Sequence, residues 1–164
     1  MAVKQMQKQG TPGSVVMIAS ITSHCNLPGY RMAGYVSVML SVIYLSAGNT
    51  LTIRSLHPQN MSKGGVRMVS KALSAELAPS GIRVNSISPA FIETNQTKTA
   101  RDHTTAAAGN LMQSAPPLGR IGRPEEVSGA AIYLLSDAAA YTTGADILIS
   151  GGIHTGRGGD YDMC

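Results

Sequence analysis

The sequence predicts an α/β fold, a three-layer sandwich in which parallel strands lie between helices. Two observations carry this reading. Three short, continuous apolar runs have the composition that strands buried on both faces require. Three segments with apolar residues at helical spacing alternate with them. The order helix, strand, helix, strand, helix, strand implies right-handed crossovers and therefore parallel pairing.

Ala2 to Gln9 reads as the tail of a helix, with Met and Val set against Lys and Gln, closed by Gly10 and the Thr11-Pro12-Gly13 turn. Ser14 to Ser20 (Ser-Val-Val-Met-Ile-Ala-Ser) is the first buried-type strand. Ser62 to Ala78 places Val66, Val69, Leu73 and Leu77 at helical spacing, and Pro79-Ser80-Gly81 ends it. Ile82 to Ser88 is the second strand. A third helix opens at Pro124, a residue suited to the first helical position. Glu125 and Glu126 complement its positive end, and Val127, Ala130, Ala131 and Leu134 form its inner stripe. After Thr143-Gly144, Ala145 to Ile149 is the third strand; beyond Gly151-Gly152, residues 153–164 form a polar, Gly-rich tail expected to be loose.

With 164 residues, 43% apolar and 13% charged, the chain can bury one core and reads as one domain. The net charge is +4, but Lys and Arg are scattered, Trp is absent and aromatic residues make up 4%, which argues against a nucleic-acid partner. Cys25 and Cys164 lie far apart, without metal-ligand spacing and with no secretory leader before them, so reduced thiols in a cytoplasmic setting are expected. The longest apolar run, Val36 to Ala47, is too short to cross a bilayer, and no membrane partner is expected. His24, His57, His103 and His154 show no ligand spacing; they are expected to be ordinary surface residues, and no metal site is expected.

Several segments go further, by their order and spacing. Gly13-Ser-Val-Val-Met-Ile-Ala-Ser20, Ser62-Lys63-Gly-Gly-Val, Glu76-Leu-Ala-Pro-Ser-Gly-Ile-Arg-Val-Asn85, Ser88-Pro-Ala-Phe-Ile-Glu-Thr94, Pro117-Leu-Gly-Arg-Ile-Gly-Arg-Pro-Glu-Glu-Val127, Leu135-Ser-Asp137 and Thr143-Gly-Ala-Asp146 with Gly151-Gly152 resemble the second half of the short-chain dehydrogenase/reductases. The resemblance implies a partial Rossmann-like fold. Residues 1–152 would be the C-terminal part of an NAD(P)-binding domain whose N-terminal βαβ half is missing. The Gly-rich turn that seats a pyrophosphate in the family, and the residue after the second strand that selects NAD or NADP, are not found in this sequence.

In that family a Ser at the end of a strand hydrogen-bonds the substrate oxygen, and a Tyr in a Tyr-x-x-x-Lys helix exchanges a proton with it. An unperturbed Tyr titrates near about 10, so it needs a nearby cation to act at neutral pH. A Lys one helical turn later can supply that charge and, by the resemblance, also holds the nicotinamide ribose. Ser20 matches the serine, with Ser23 a nearby alternative, and Lys63 matches the lysine. The tyrosine position is occupied by Gln59, which cannot exchange a proton in this way.

Upstream, Leu27-Pro-Gly-Tyr-Arg-Met-Ala-Gly-Tyr35 resembles the segment that ends on the family tyrosine. Joining Tyr35 to Asn60 restores Tyr-Asn-Met-Ser-Lys, which makes residues 36–59 an inserted segment. Val36-Ser37 can be encoded by GTAAGT, Pro58-Gln59 by a sequence ending CAG, and Leu51-Thr52 by a branch-point-like CTNAC, as expected of a translated intron.

Tyr35, Lys63, Pro89, Ile92 and Thr94 are the implied cofactor contacts, with Ala90 standing where the family usually has Gly. Asn95 to Pro116 corresponds to the family's substrate lid, or forms an ordinary surface loop and helix. The implied activity is an oxidoreductase interconverting a carbonyl and an alcohol with NADP or NAD. The Ile-Ala-Ser and Pro-Gly-Tyr segments look most like fungal polyol or ketose reductases, which points to a small polyol or ketose substrate; a homo-oligomer is the expected assembly. The alternative is a non-enzymatic remnant that acts at most as an oligomerisation partner.

Overall fold

A computed structural model describes residues 2–25, 58–95, 97–98, 110 and 112–155. Tyr35, His57, His103 and Cys164, most of the inserted segment, most of 95–116 and residues 156–164 lie outside these. The chain runs α1 (Ala2–Gln9), β1 (Gly13–Ile18), α2 (Pro58–Leu77), β2 (Ile82–Pro89), α3 (Pro124–Leu135) and β3 (Asp146–Ile149). The three strands form one sheet in the order β1-β2-β3, with both pairs parallel. Gly13 lies opposite Ile82 in one pair and Ser86 opposite Asp146 in the other.

Side chains alternate across the central strand, as strand geometry requires. On one face Ile82 and Val84 meet Leu77 of α2, with Val3 and Met6 of α1 and Val15 and Met17 of β1 packed around them. On the other, Ile87 meets Leu134 and Ala139, joined by Val16, Val127, Ala130, Ala131, Ile147 and Ile149. This is the three-layer α/β sandwich that the alternation of apolar runs predicts. β1 pairs with β2 on one side only among the described residues, and Ile18 at its end is 47% exposed.

The boundaries differ from the sequence reading for local reasons. β1 stops at Ile18 because Ser20 caps a turn of 3-10 helix, Ile21–Ser23, instead of extending the ladder. β3 starts at Asp146 because the Ala145 N–H is taken by the Asn85 side chain at 3.0 Å. The core also continues past the expected boundary of the tail: Ile153 opens a short turn, Ile153–Thr155, is fully buried, and packs with Ile21 and Cys25.

On α2 the stripe read from apolar spacing holds at Leu73 and Leu77, which pack in one core cluster, and fails at Val69. Val69 is 48% exposed, while Ser70 and Ser74 are buried. Small side chains allow a close approach there. A Cβ on Gly144 would sit 2.8 Å from Ser74 Oγ, and Gly144 has φ +73°. Ser74 cannot retreat freely, since its hydroxyl donates to the Lys71 carbonyl at 2.7 Å. Gly144→Ala is therefore expected to cost about 1–3 kcal/mol, combining a left-handed backbone with this clash. The check is a lower urea midpoint at unchanged slope; an unchanged midpoint would refute the close approach.

The sheet end opposite the candidate site is tied by Arg83. Its guanidinium donates to the carbonyls of Leu134 (2.8 Å), Ser136 (3.1 Å) and Thr142 (3.4 Å), placing a cation at the carbonyl end of α3. At the other end of α3, Glu126 accepts from the Arg123 N–H at 2.7 Å and pairs with Arg120 at 2.6 Å. The Arg120 hydrogen bonds, followed by the Arg123 N–H, bring the Glu126 carboxyl down to about 2.

Candidate active site

Parallel strands send their C-terminal ends to one edge of the sheet, the usual place for a ligand crevice in open α/β folds. At that edge the chain leaves β1 through Ser20, whose extended backbone (φ −162°, ψ 153°) caps the following turn. Ser20 Oγ accepts from the Thr22 N–H at 3.3 Å and from the Thr22 hydroxyl at 3.0 Å. The Ser20 carbonyl accepts from the Ser23 hydroxyl at 2.7 Å. Lys63, in the first half of α2, donates from Nζ to the Ile18 carbonyl at 2.8 Å, which leaves ammonium protons for a second partner.

The third wall follows β2. The Ala90 N–H donates to the Ile149 carbonyl at 2.9 Å, so the alanine standing at the family's glycine position continues the ladder. Ile92 forms an isolated bridge with Gly122. Thr94 and Thr97 cap each other: the Thr94 N–H donates to Thr97 Oγ1 at 2.8 Å and the Thr97 N–H to Thr94 Oγ1 at 3.3 Å. Thr97 Oγ1 also donates to the Ile92 carbonyl at 2.7 Å, which pins the segment.

Ser20, Lys63, Pro89, Ile92 and Thr94 all line one cavity of about 490 Å³, a volume in the range of about 300–1,000 Å³ usual for small-molecule sites. Ile18, Val127 and Ala131 make its apolar side. Lys63 is the sole ionisable side chain among the described residues that line it. Tyr35, the sequence candidate for proton exchange, lies outside the described residues, and α2 carries Gln59 one turn before Lys63. Sequence reasoning missed Thr97 and Ser128, which also line the cavity. The Thr-x-x-Thr spacing of 94 and 97 was a readable capping signal.

The largest omission is a carboxylate. Asp146 at the start of β3, 7% exposed, pairs with His24. It accepts from the hydroxyls of Ser86 at 2.5 Å and Ser88 at 2.8 Å. Arg67 lies 3.9 Å from it while donating to the Ser23 carbonyl at 3.1 Å. Burial pushes the Asp146 carboxyl up, but the Ser86, Ser88 and His24 hydrogen bonds outweigh it and hold the group below its ordinary value. His24 is thus no ordinary surface residue, and His154 is not one either, since its Nδ1 bonds Ser150 Oγ at 2.7 Å. Together with the apolar contact of Ile21 and Cys25 with Ile153, the His24–Asp146 pair fixes the turn carrying Ser20 to β3. No cluster of three potential metal ligands occurs among the described residues, and no described helix is long and apolar enough to cross a membrane.

Comparison with known proteins agrees with this fold. A family model described as enoyl-(acyl carrier protein) reductase matches residues 37–154. A 3-oxoacyl-[acyl-carrier-protein] reductase of Chlamydia trachomatis is 42% identical over 92 residues, covering 56% of this chain and 36% of that protein. A short-chain dehydrogenase/reductase from Mycobacterium marinum superposes with a TM-score of 0.67 at 33% identity, over 93% of this chain and 48% of its own. A gluconate 5-dehydrogenase from Burkholderia cenocepacia, crystallised with NADP and tartrate, gives 0.68 at 26% identity, over 94% and 49%. The chain therefore spans about a third of the curated relative and about half of each solved structure. With a match over more than half its length and this sheet, the chain belongs to the short-chain dehydrogenase/reductase family.

Proposed function

We propose that residues 1–155 are the C-terminal, substrate-facing part of an NAD(P)-dependent reductase that interconverts a carbonyl and an alcohol, with 36–59 an inserted segment. The observation that carries the reading is the single cavity where Ser20, Lys63, Pro89, Ile92 and Thr94 meet. In this reading the Ser20 hydroxyl donates to the substrate oxygen, Tyr35 exchanges the proton, and Lys63 stabilises the phenolate. The residues present fit the nicotinamide end of NADP or NAD: Lys63 has ammonium protons free for a ribose, and Pro89, Ile92 and Thr94 lie on the same wall. When bound, that group supplies or accepts the hydride. A small polyol or ketose is the proposed substrate class, and the match to a gluconate 5-dehydrogenase bound to NADP and tartrate supports it. A cytoplasmic location and a homo-oligomer complete the proposal.

A second reading has its own observation, the glutamine one turn before Lys63 in α2. On that reading the chain is a non-enzymatic remnant that assembles with other copies or with an intact relative. Exposed Met68 and Val69 on α2 and Ile132 and Leu135 on α3 offer apolar surface for this. Titration with NADPH and NADH, followed by gel filtration, separates the two. Saturable nicotinamide binding that is lost in Lys63→Met supports the first; a cofactor-blind oligomer refutes it.

A further inference from the structure

We propose that Thr22 is a positioning residue that makes the Ser20 hydroxyl an obligate donor toward the cavity. The proposal rests on the reading of Ser20 given above and adds what sets the direction of its proton.

A serine hydroxyl has one proton and two acceptor positions. Thr22 fills both: its N–H approaches Ser20 Oγ at 3.3 Å and its Oγ1 donates at 3.0 Å. Thr22 is 2% exposed, so water does not compete for these contacts. The packing that buries it is independent of Ser20, because Ile21 and Cys25 on either side of the turn are anchored against Ile153. Among the described residues the Ser20 hydroxyl donates to none of its neighbours, and the residue lines the cavity. Its proton is left for a group in the cavity that can only accept, such as a carbonyl oxygen. A hydroxyl that already accepts is also a stronger donor, because hydrogen bonds in a chain polarise one another. Without the Thr22 hydroxyl, Ser20 has a free acceptor position and can turn its proton back into the turn or take one from solvent.

The test uses the full chain and dihydroxyacetone labelled with ¹³C at the carbonyl, the smallest ketose, so that binding is read with no cofactor and no turnover. The carbonyl resonance moves downfield when the oxygen accepts a hydrogen bond. Wild type and Thr22→Ser, which keeps the hydroxyl, are expected to bind alike and to give the same downfield shift. Thr22→Val, which keeps the shape, is expected to bind about fivefold more weakly, the equivalent of one hydrogen bond, with a smaller shift. Ser20→Ala is expected to abolish the shift. If Thr22→Val equals wild type while Ser20→Ala loses the shift, the role of Thr22 is overturned and the reading of Ser20 survives. If Ser20→Ala equals wild type, or wild type does not bind the ketose, the reading of Ser20 fails and the proposal fails with it. Melting curves for each variant keep an unfolded Thr22→Val from being scored as a result, and Thr22→Ser then decides: loss of the shift in a folded Thr22→Ser overturns the proposal.

Discussion

Replacing Gln59 with tyrosine is expected to raise the rate of NADPH consumption with a small ketose by about 10²- to 10⁴-fold, the contribution of one positioned acid/base. Position 59 lies in α2 four residues before Lys63, and residues four apart on a helix are neighbours on one face. A phenol introduced there acquires a cation one turn away, which draws its pKa down from about 10 toward neutrality. The glutamine amide has no proton to exchange at any accessible pH. The double variant Gln59→Tyr with Lys63→Met is expected to lose the gain while keeping the fold. Excising residues 36–59, so that Tyr35 joins Asn60, is the same experiment by another route and is expected to give a similar gain. A rate that stays at the wild-type level in both variants, or a gain that survives without Lys63, defeats the assignment. Transcripts that retain codons 36 to 59 without any spliced form would separately defeat the translated-intron origin of the segment.

Asp146→Ala is expected to destabilise the chain by about 3 kcal/mol, because buried hydroxyls and a partly buried imidazole lose their shared acceptor together. Ser86 and Ser88 are 1% and 0% exposed and cannot turn to water. The accompanying pH dependence is read best against Asp146→Asn. The Asp146 carboxyl titrates below its ordinary value in the folded chain, so its contribution is fully present above the unfolded value, about 3.9, and is lost as pH falls through the folded value. The stability gap between wild type and Asp146→Asn is therefore expected to be flat from neutral pH down to about 4 and to close on further acidification. The acid response of Glu126 is common to both proteins and cancels in the difference. A gap that stays constant to the lowest pH at which the chain remains folded would show that the carboxylate is not the group being stabilised.

How much of this was legible in the sequence depends on the distance over which each feature is decided. Ile82 to Ser88 could be read as a strand because burial on both faces leaves an apolar imprint on consecutive residues. The third helix was legible because Pro124 and the two glutamates mark its start within a single turn. Strand ends were less legible, since single side-chain hydrogen bonds decide them: Asn85 to Ala145 at one end, Thr22 to Ser20 at another. The inner stripe of α2 was misread at Val69 because serine carries no hydrophobic signal, and the approach of Gly144 explains why a serine is buried at position 74. The five described candidates came together around one cavity because the parallel topology delivers the ends of β1 and β2, beside the start of α2, to the same edge, and motif order is enough to infer that. The Asp146 cluster was illegible: His24 and Asp146 are separated by 122 positions, and no local pattern connects a histidine in a turn to an aspartate that opens a strand.

The strand order has a consequence for how the molecule comes into being. Among the described residues β2 is the only strand with two partners, and it meets neither of them early. Gly13 waits for Ile82, and Ser86 for Asp146, 60 positions further along. Each closure spends loop entropy before any ladder bond returns it, the situation that makes parallel sheets slow to form. During synthesis the apolar face of β1 emerges well before its partner, and the carboxylate that fixes the Ser20 turn arrives only with β3. The turn that carries Ser20 is thus held in place only once the four-residue β3 has been made, by a strand far along the chain from it.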